Sequence, residues 1–145
     1  QIGFIRGLDT DTDLLTKSAS QLLSSFEASN DSEVLLQAET MLNLIVGSQS
    51  EDHKDWNGNG GIDDAGDGYG LLQNGSNLGY IQGAFTHANL ALTSADATDN
   101  MLTHGEHVKA STDNVSNWTA QLRLQLIDIL QDADGAKNEG AIRQA

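Results

Sequence analysis

The residue types best suited to chemistry fall in one short run, Asp55-Trp56-Asn57-Gly58-Asn59-Gly60-Gly61-Ile62-Asp63-Asp64-Ala65-Gly66-Asp67. Calcium takes six to eight hard oxygen ligands on a flexible frame. Side-chain oxygens at alternate positions converge on one centre, and here those positions are Asp55, Asn57 and Asn59. Gly60 follows, where the chain must turn sharply, and Gly61 offers a main-chain carbonyl. Ile62 is the apolar anchor, and Asp63 binds directly or through water. A bidentate acid is expected twelve residues into such a loop, and Gly66 stands there. Asp64 or Asp67 is therefore expected to close the shell in altered geometry. The expected metal ligands are Asp55, Asn57, Asn59, Gly61, Asp63, Asp64 and Asp67, with calcium as the cofactor. Magnesium fits less well, because it demands stricter octahedral geometry. The competing reading is an acidic loop rich in Asx turns that holds no ion.

Up to Asp63 the run resembles an EF-hand or dockerin-type calcium loop. It departs from that pattern at Gly66, and its flanks do not read as an EF-hand helix pair. A second group of side chains could also hold a metal. His104 and His107 are three residues apart, hence neighbours on a helix. With His87 they would suit a transition metal or haem. The plainer reading of the pair is one hydrogen-bonded core histidine and one surface histidine.

No nucleophile elbow, zinc-protease motif, phosphate loop or dinucleotide fingerprint is present. Asp63 and Asp64 as a general acid and base would need a cleft and a raised pKa. Staying ionised on a cation suits them better. The sequence therefore predicts no enzyme. Of four Asn-x-Ser/Thr triplets, those at Asn30 and Asn74 are read as candidate glycosylation sites and those at Asn114 and Asn117 fall in a predicted helix.

Composition narrows the rest. The 145 residues suffice for one domain, 1–145, with a single core. Aromatics are only 5%, so that core must be aliphatic. Seven Lys and Arg stand against 21 Asp and Glu, a formal net charge of −14. No basic cluster exists to release phosphate counterions, so nucleic acid is excluded as a partner. Asp outnumbers Glu 15 to 6, and Asp favours turns, caps and hard-cation loops over helix interiors. There is no Cys, which removes disulfides, thiol catalysis, thiolate zinc sites and c-type haem attachment. No run of 18 apolar residues occurs, so membrane insertion is not expected. The chain starts at Gln1, which reads as a processed product or fragment.

The elements that must position the loop are helices. No Pro interrupts any of them. Ile5, Leu8, Thr12, Leu15, Ala19, Leu22 and Phe26 follow a 3,4 rhythm and predict a helix over 2–28. The stretch Ser29-Asn30-Asp31-Ser32 supplies an N-cap, and a second helix over 32–46 ends at Gly47. Residues 47–79 are dense in Gly, and the calcium loop at about 51–70 gives this long connection a reason to be ordered. A third helix runs from Tyr80 to Leu92, with Ser94 or Asp96 as the next cap. Met101, His104, Val108, Ser111, Val115, Trp118, Leu122, Leu126 and Ile129 predict one long fourth helix. The tail 136–145 reads as the start of a further, truncated helix. It leaves Leu122, Leu126 and Ile129 short of a partner, which predicts self-association or docking there. The fold class is all-α, an up-and-down bundle of about four main helices.

Several runs together resemble a helical domain of secreted or envelope-anchored bacterial proteins, mainly of the Chloroflexota type. They are Leu42–Gly47, Gly66–Leu72, Gly79–Gly83 and His104–Val108. The chain departs from that group at Ala65, where Pro is usual, and at Gln37 and Thr40, where His is frequent. The resemblance implies a fold and an extracellular or envelope address, and no activity. The sequence thus points to a non-catalytic, calcium-stabilised surface module that binds a protein partner or copies of itself. The alternative is a metal- or haem-binding module built on His104, His107 and His87.

Overall fold

The computed structural model describes residues 3–132 and 134–145. Within them lie four main helices, α1 (Phe4–Glu27), α2 (Asp31–Val46), α3 (Gly79–Leu92) and α4 (Asp99–Gln131). A 3₁₀ turn at Gly135–Lys137 and a short α5 (Glu139–Ile142) follow. No strand occurs among the described residues; Asn74 and Asn77 make one isolated bridge. The all-α expectation holds, and α4 is continuous through Ser111 and Thr112. No helix is long and apolar enough to cross a membrane, among the described residues.

Local chemistry sets the helix ends. The Asn30 side chain accepts the Glu33 N–H and caps α2. Gly47 ends α2 with φ of 71°, its N–H bonded back to the Asn43 carbonyl. The start of α4 differs from the expected Ser94 or Asp96. Thr98 caps it, accepting the Met101 N–H.

Helices α1 and α4 each pack on both α2 and α3. The core gathers on α2, where Val34, Ala38, Met41, Leu42 and Ile45 meet Leu22, Leu126 and Ile129. A helix buried over most of its surface is apolar nearly all round, and residues 41–46 of α2 are all buried, Asn43 included.

The expected seams of α1 and α4 hold in part: Leu8, Leu15, Ala19 and Phe26 pack against the core beside buried Leu22, and Val115, Leu122, Leu126 and Ile129 do so on α4. On α1 the buried residues are Gly7, Asp11, Ser18 and Leu22, while Ile5 is 61% exposed and Thr12 is exposed. On α4 the seam runs through Val108, Thr112, Val115, Thr119, Leu122, Leu126 and Ile129. It keeps the 3,4 rhythm but passes through threonines; Trp118 is 65% exposed. Thr112 can be buried because its hydroxyl donates to the Val108 carbonyl at 2.9 Å. The lower seam is also covered rather than open. Ile142 and Ala136 join the core from the tail, and Leu126 and Ile129 have no exposed surface. The tail is thus a packed cap, which removes the reason for self-association at that end.

The sequon at Asn74 is corrected as well. Asn74 is buried, and its amide nitrogen donates to the carbonyls of Tyr69 and Leu72, both at 2.9 Å. That nitrogen is not free for a glycan. Gly70, with φ of 85°, makes room for it: a Cβ there would stand 2.7 Å from the Asn74 amide nitrogen.

Candidate metal centre

The connection from α2 to α3 is held by two buried polar residues of α2. Glu39 and Asn43 are four apart, on one helix face, and neither has exposed surface. Glu39 Oε2 accepts the N–H groups of Trp56 and Asn57, both at 2.9 Å, and Oε1 accepts that of Asp63 at 3.0 Å. Asn43 Oδ1 accepts the Lys54 N–H at 3.1 Å. Its Nδ2 donates to the carbonyls of Lys54 at 3.1 Å and Asp63 at 2.9 Å. Both ends of the 54–63 segment are thereby bolted to one helix turn. Buried carboxylates and amides are costly unless their bonds are made, and here they are. On the outer side, Asp52 pairs with Arg123 of α4, and the Trp56 indole donates to the Asp52 carbonyl at 2.8 Å.

Between the bolts, Asp55, Asn57 and Asp63 are each hydrogen-bonded to Asn59. Asp55 gathers three main-chain donors: Gly58 at 2.7 Å and Asn59 at 3.2 Å on Oδ1, and Gly60 at 2.9 Å on Oδ2. Asn57 Oδ1 accepts the Asn59 N–H at 2.9 Å, and Asn59 Oδ1 accepts the Gly61 N–H at 2.8 Å. Asn59 Nδ2 donates to Asp63 Oδ2 at 2.7 Å, so Asn59 links all three of its partners. Ile62 is 54% exposed, so it does not anchor the loop from inside; Glu39 has that task.

Asp64 and Asp67 are engaged elsewhere. Asp64 Oδ2 meets His53 Nε2 at 3.0 Å, and Oδ1 accepts the Gly66 N–H at 2.8 Å. Asp67 Oδ2 accepts the Tyr80 hydroxyl at 2.6 Å, and Oδ1 accepts the Tyr69 N–H at 2.9 Å. Asp11 of α1 adds a further carboxylate to this region. It is 3% exposed, and its Oδ2 has no hydrogen-bond partner. Burial first, then the charges of Asp67 and Asp64, push its carboxyl up to about 6. Burial, the bond to Asp67 and the nearby carboxylates push the Tyr80 phenol up, so its proton stays in place.

The seven expected ligands therefore divide. Asp55, Asn57, Asn59, Gly61 and Asp63 lie together, and Asp64 and Asp67 join His53 and Tyr80. Among the described residues, no three or more His, Asp or Glu side chains surround one point. An ion in the loop would rely on two carboxylates, two amide oxygens, main-chain carbonyls and water. Of the histidines, His104 and His107 form an exposed edge-to-face pair with centroids 5.9 Å apart. His87 packs edge-on against Phe4 at 4.9 Å. Sequence reasoning missed Glu39, Asn43 and Asp11. The first two carried a signal, being the polar residues four apart in the apolar run Leu35–Val46. Asp11 carried none, since Asp9-Thr-Asp11-Thr-Asp13 reads as a solvated face.

The fold and the loop define an all-α protein with an Asp/Asn/Gly loop bolted to its central helix. No family model, curated protein or solved structure matches the chain.

Proposed function

We propose that this protein is a non-catalytic helical module of the cell surface or extracellular space, stabilised by calcium in the 55–63 loop. The observation that carries this reading is the Asp55 carboxylate. It folds residues 58–60 around itself through three N–H bonds, and Asn59, so held, is bonded in turn to Asn57 and Asp63. Loops of this chemistry favour calcium, whose coordination tolerates irregular geometry. Asp55, Asn57, Asn59, the Gly61 carbonyl and Asp63 supply the oxygens, with water completing the shell. The bolts from Glu39 and Asn43 link the ion to the core, so binding stabilises the whole fold rather than a free loop. Weak calcium loops operate where calcium is millimolar, which supports the extracellular or envelope address.

The module's task is to dock a protein partner or copies of itself. Trp118 on α4, a large aromatic side chain 65% exposed, supports that part of the reading. Calorimetric titration of the full chain with calcium tests the central claim. Binding that is lost in Asp55→Ala supports the loop as the site. A flat titration of the wild-type protein would sink it.

A further inference from the structure

We propose a second cation site, separate from the 55–63 loop, in which Asp11 of α1 and Asp67 of the connection hold a hard divalent ion. The packing that creates it starts with two small facts of sequence. Gly7 and Asp11 are one turn apart on α1 and both are buried. Gly7 lets the Tyr80 ring lie directly on the helix; a Cβ there would stand 2.0 Å from Tyr80 Cε1. The Tyr80 hydroxyl in turn reaches Asp67. Tyr80 thus ties this face of α1 to Asp67, and Asp11 lies near enough for the charges of Asp67, and then Asp64, to act on its carboxyl.

The charge of this group is unanswered. The ion pairs among the described residues join His53 to Asp64, Arg123 to Asp52, Lys109 to Glu106, Lys137 to Asp31 and Asp134, and Arg143 to Glu139. None of them reaches Asp11 or Asp67. A carboxylate that is 3% exposed, with an oxygen bonded to nothing, is costly to bury. A cation removes that cost. The available donors are oxygens, which select a hard ion, and calcium before magnesium because no regular octahedron is laid out. Two carboxylates bind, Asp64 adds negative potential, and water and main-chain oxygens fill the remaining positions. Asp67 is exposed, so the ion has a way in from solvent. Both Asp67 oxygens already accept one bond each and keep lone pairs for a metal.

The test is calcium titration of the full chain by calorimetry, with melting curves in calcium and in chelator. It compares wild type, Asp11→Asn, Asp55→Ala and the double variant. The expected result is two equivalents in wild type, one in each single variant and none in the double. Asp55→Ala keeps part of the calcium-induced rise in melting temperature, and the double variant loses it. Asp67→Asn, at an exposed position, must lose the same equivalent as Asp11→Asn, which separates binding from any folding defect of a core variant. Loss of all calcium binding in Asp55→Ala alone would overturn the second site, as would wild-type stoichiometry in Asp11→Asn. Failure of the loop reading looks different: Asp55→Ala would then bind as wild type does, while Asp11→Asn would bind nothing.

Discussion

The carboxylate of Glu39, fully buried in α2, accepts the main-chain N–H of Asp63 at 3.0 Å across 24 positions of sequence. The same side chain takes the N–H groups of Trp56 and Asn57. One core residue therefore fixes both sides of the loop. Glu39→Gln keeps the size and replaces one acceptor oxygen with a donor that faces an N–H. We expect a loss of about 2–3 kcal/mol in denaturant unfolding, the cost of leaving a buried donor unpaired. Exposed Glu27→Gln should stay within about 0.5 kcal/mol. Hydrogen exchange at Trp56, Asn57 and Asp63 should speed up in Glu39→Gln. Unchanged protection there would show that Glu39 does not hold the loop.

Calcium should raise the melting temperature over that in chelator. A ligand that binds only the folded state adds about 2.7 kcal/mol at 100 times its Kd. Asp55→Ala should remove the share that belongs to the loop, and Asp63→Asn should weaken it. Identical melting curves in calcium and chelator, with no calcium found by elemental analysis, would refute the metal reading.

The Asp11 carboxyl gives a pH dependence of definite sign. Its folded-state pKa, raised from 3.8 to about 6, lies above its unfolded value. The folded protein therefore holds this proton more tightly, and the groups around it, Asp64, Asp67 and Tyr80, supply no positive charge. In chelator, stability from this group is complete below about pH 4 and falls as pH rises to about 6, by about 3 kcal/mol at most. Urea unfolding of wild type and Asp11→Asn in chelator measures it. Above about pH 6 the variant should be the more stable of the two, and the difference should vanish near pH 4.

Gly7→Ala places a methyl group into the Tyr80 ring. Overpacking of this kind costs about 1–3 kcal/mol, set against about 1 kcal/mol gained from the better helix propensity of Ala. The net change should be destabilising, and the near-ultraviolet dichroism of the Tyr69–Tyr80 pair, whose centroids are 4.8 Å apart, should change. A Gly7→Ala variant more stable than wild type would show that the ring does not press on α1.

Leu126 has no exposed surface. Leu126→Asp buries an unpaired charge and should unfold the protein at every concentration. Light scattering and dichroism together decide the matter. A folded Leu126→Asp monomer derived from a wild-type assembly would place Leu126 at an interface instead of in the core.

How far the sequence reached can be read from particular residues. The helices were legible because apolar residues spaced 3 and 4 apart, with Asn30 and Gly47 at the ends of α2, are local instructions. The grouping of Asp55, Asn57, Asn59 and Asp63 was legible for the same reason, since alternate oxygens around a Gly turn act within a few residues. What the sequence left open is the choice of buried stripe. On α4 the lines through Trp118 and through Thr119 lie side by side, and the rhythm permits either. The neighbours α2 and α3 selected the line of the threonines, because these small side chains fit a close contact, the Thr112 hydroxyl bonding its own helix, and a Trp does not. The destinations of Glu39, Asp11, Asp64 and Asp67 were equally out of reach. Each acts on a group from another element, and such a partner exists only once the chain has folded: a carboxylate's neighbours across space are set by packing, and its neighbours along the chain do not name them.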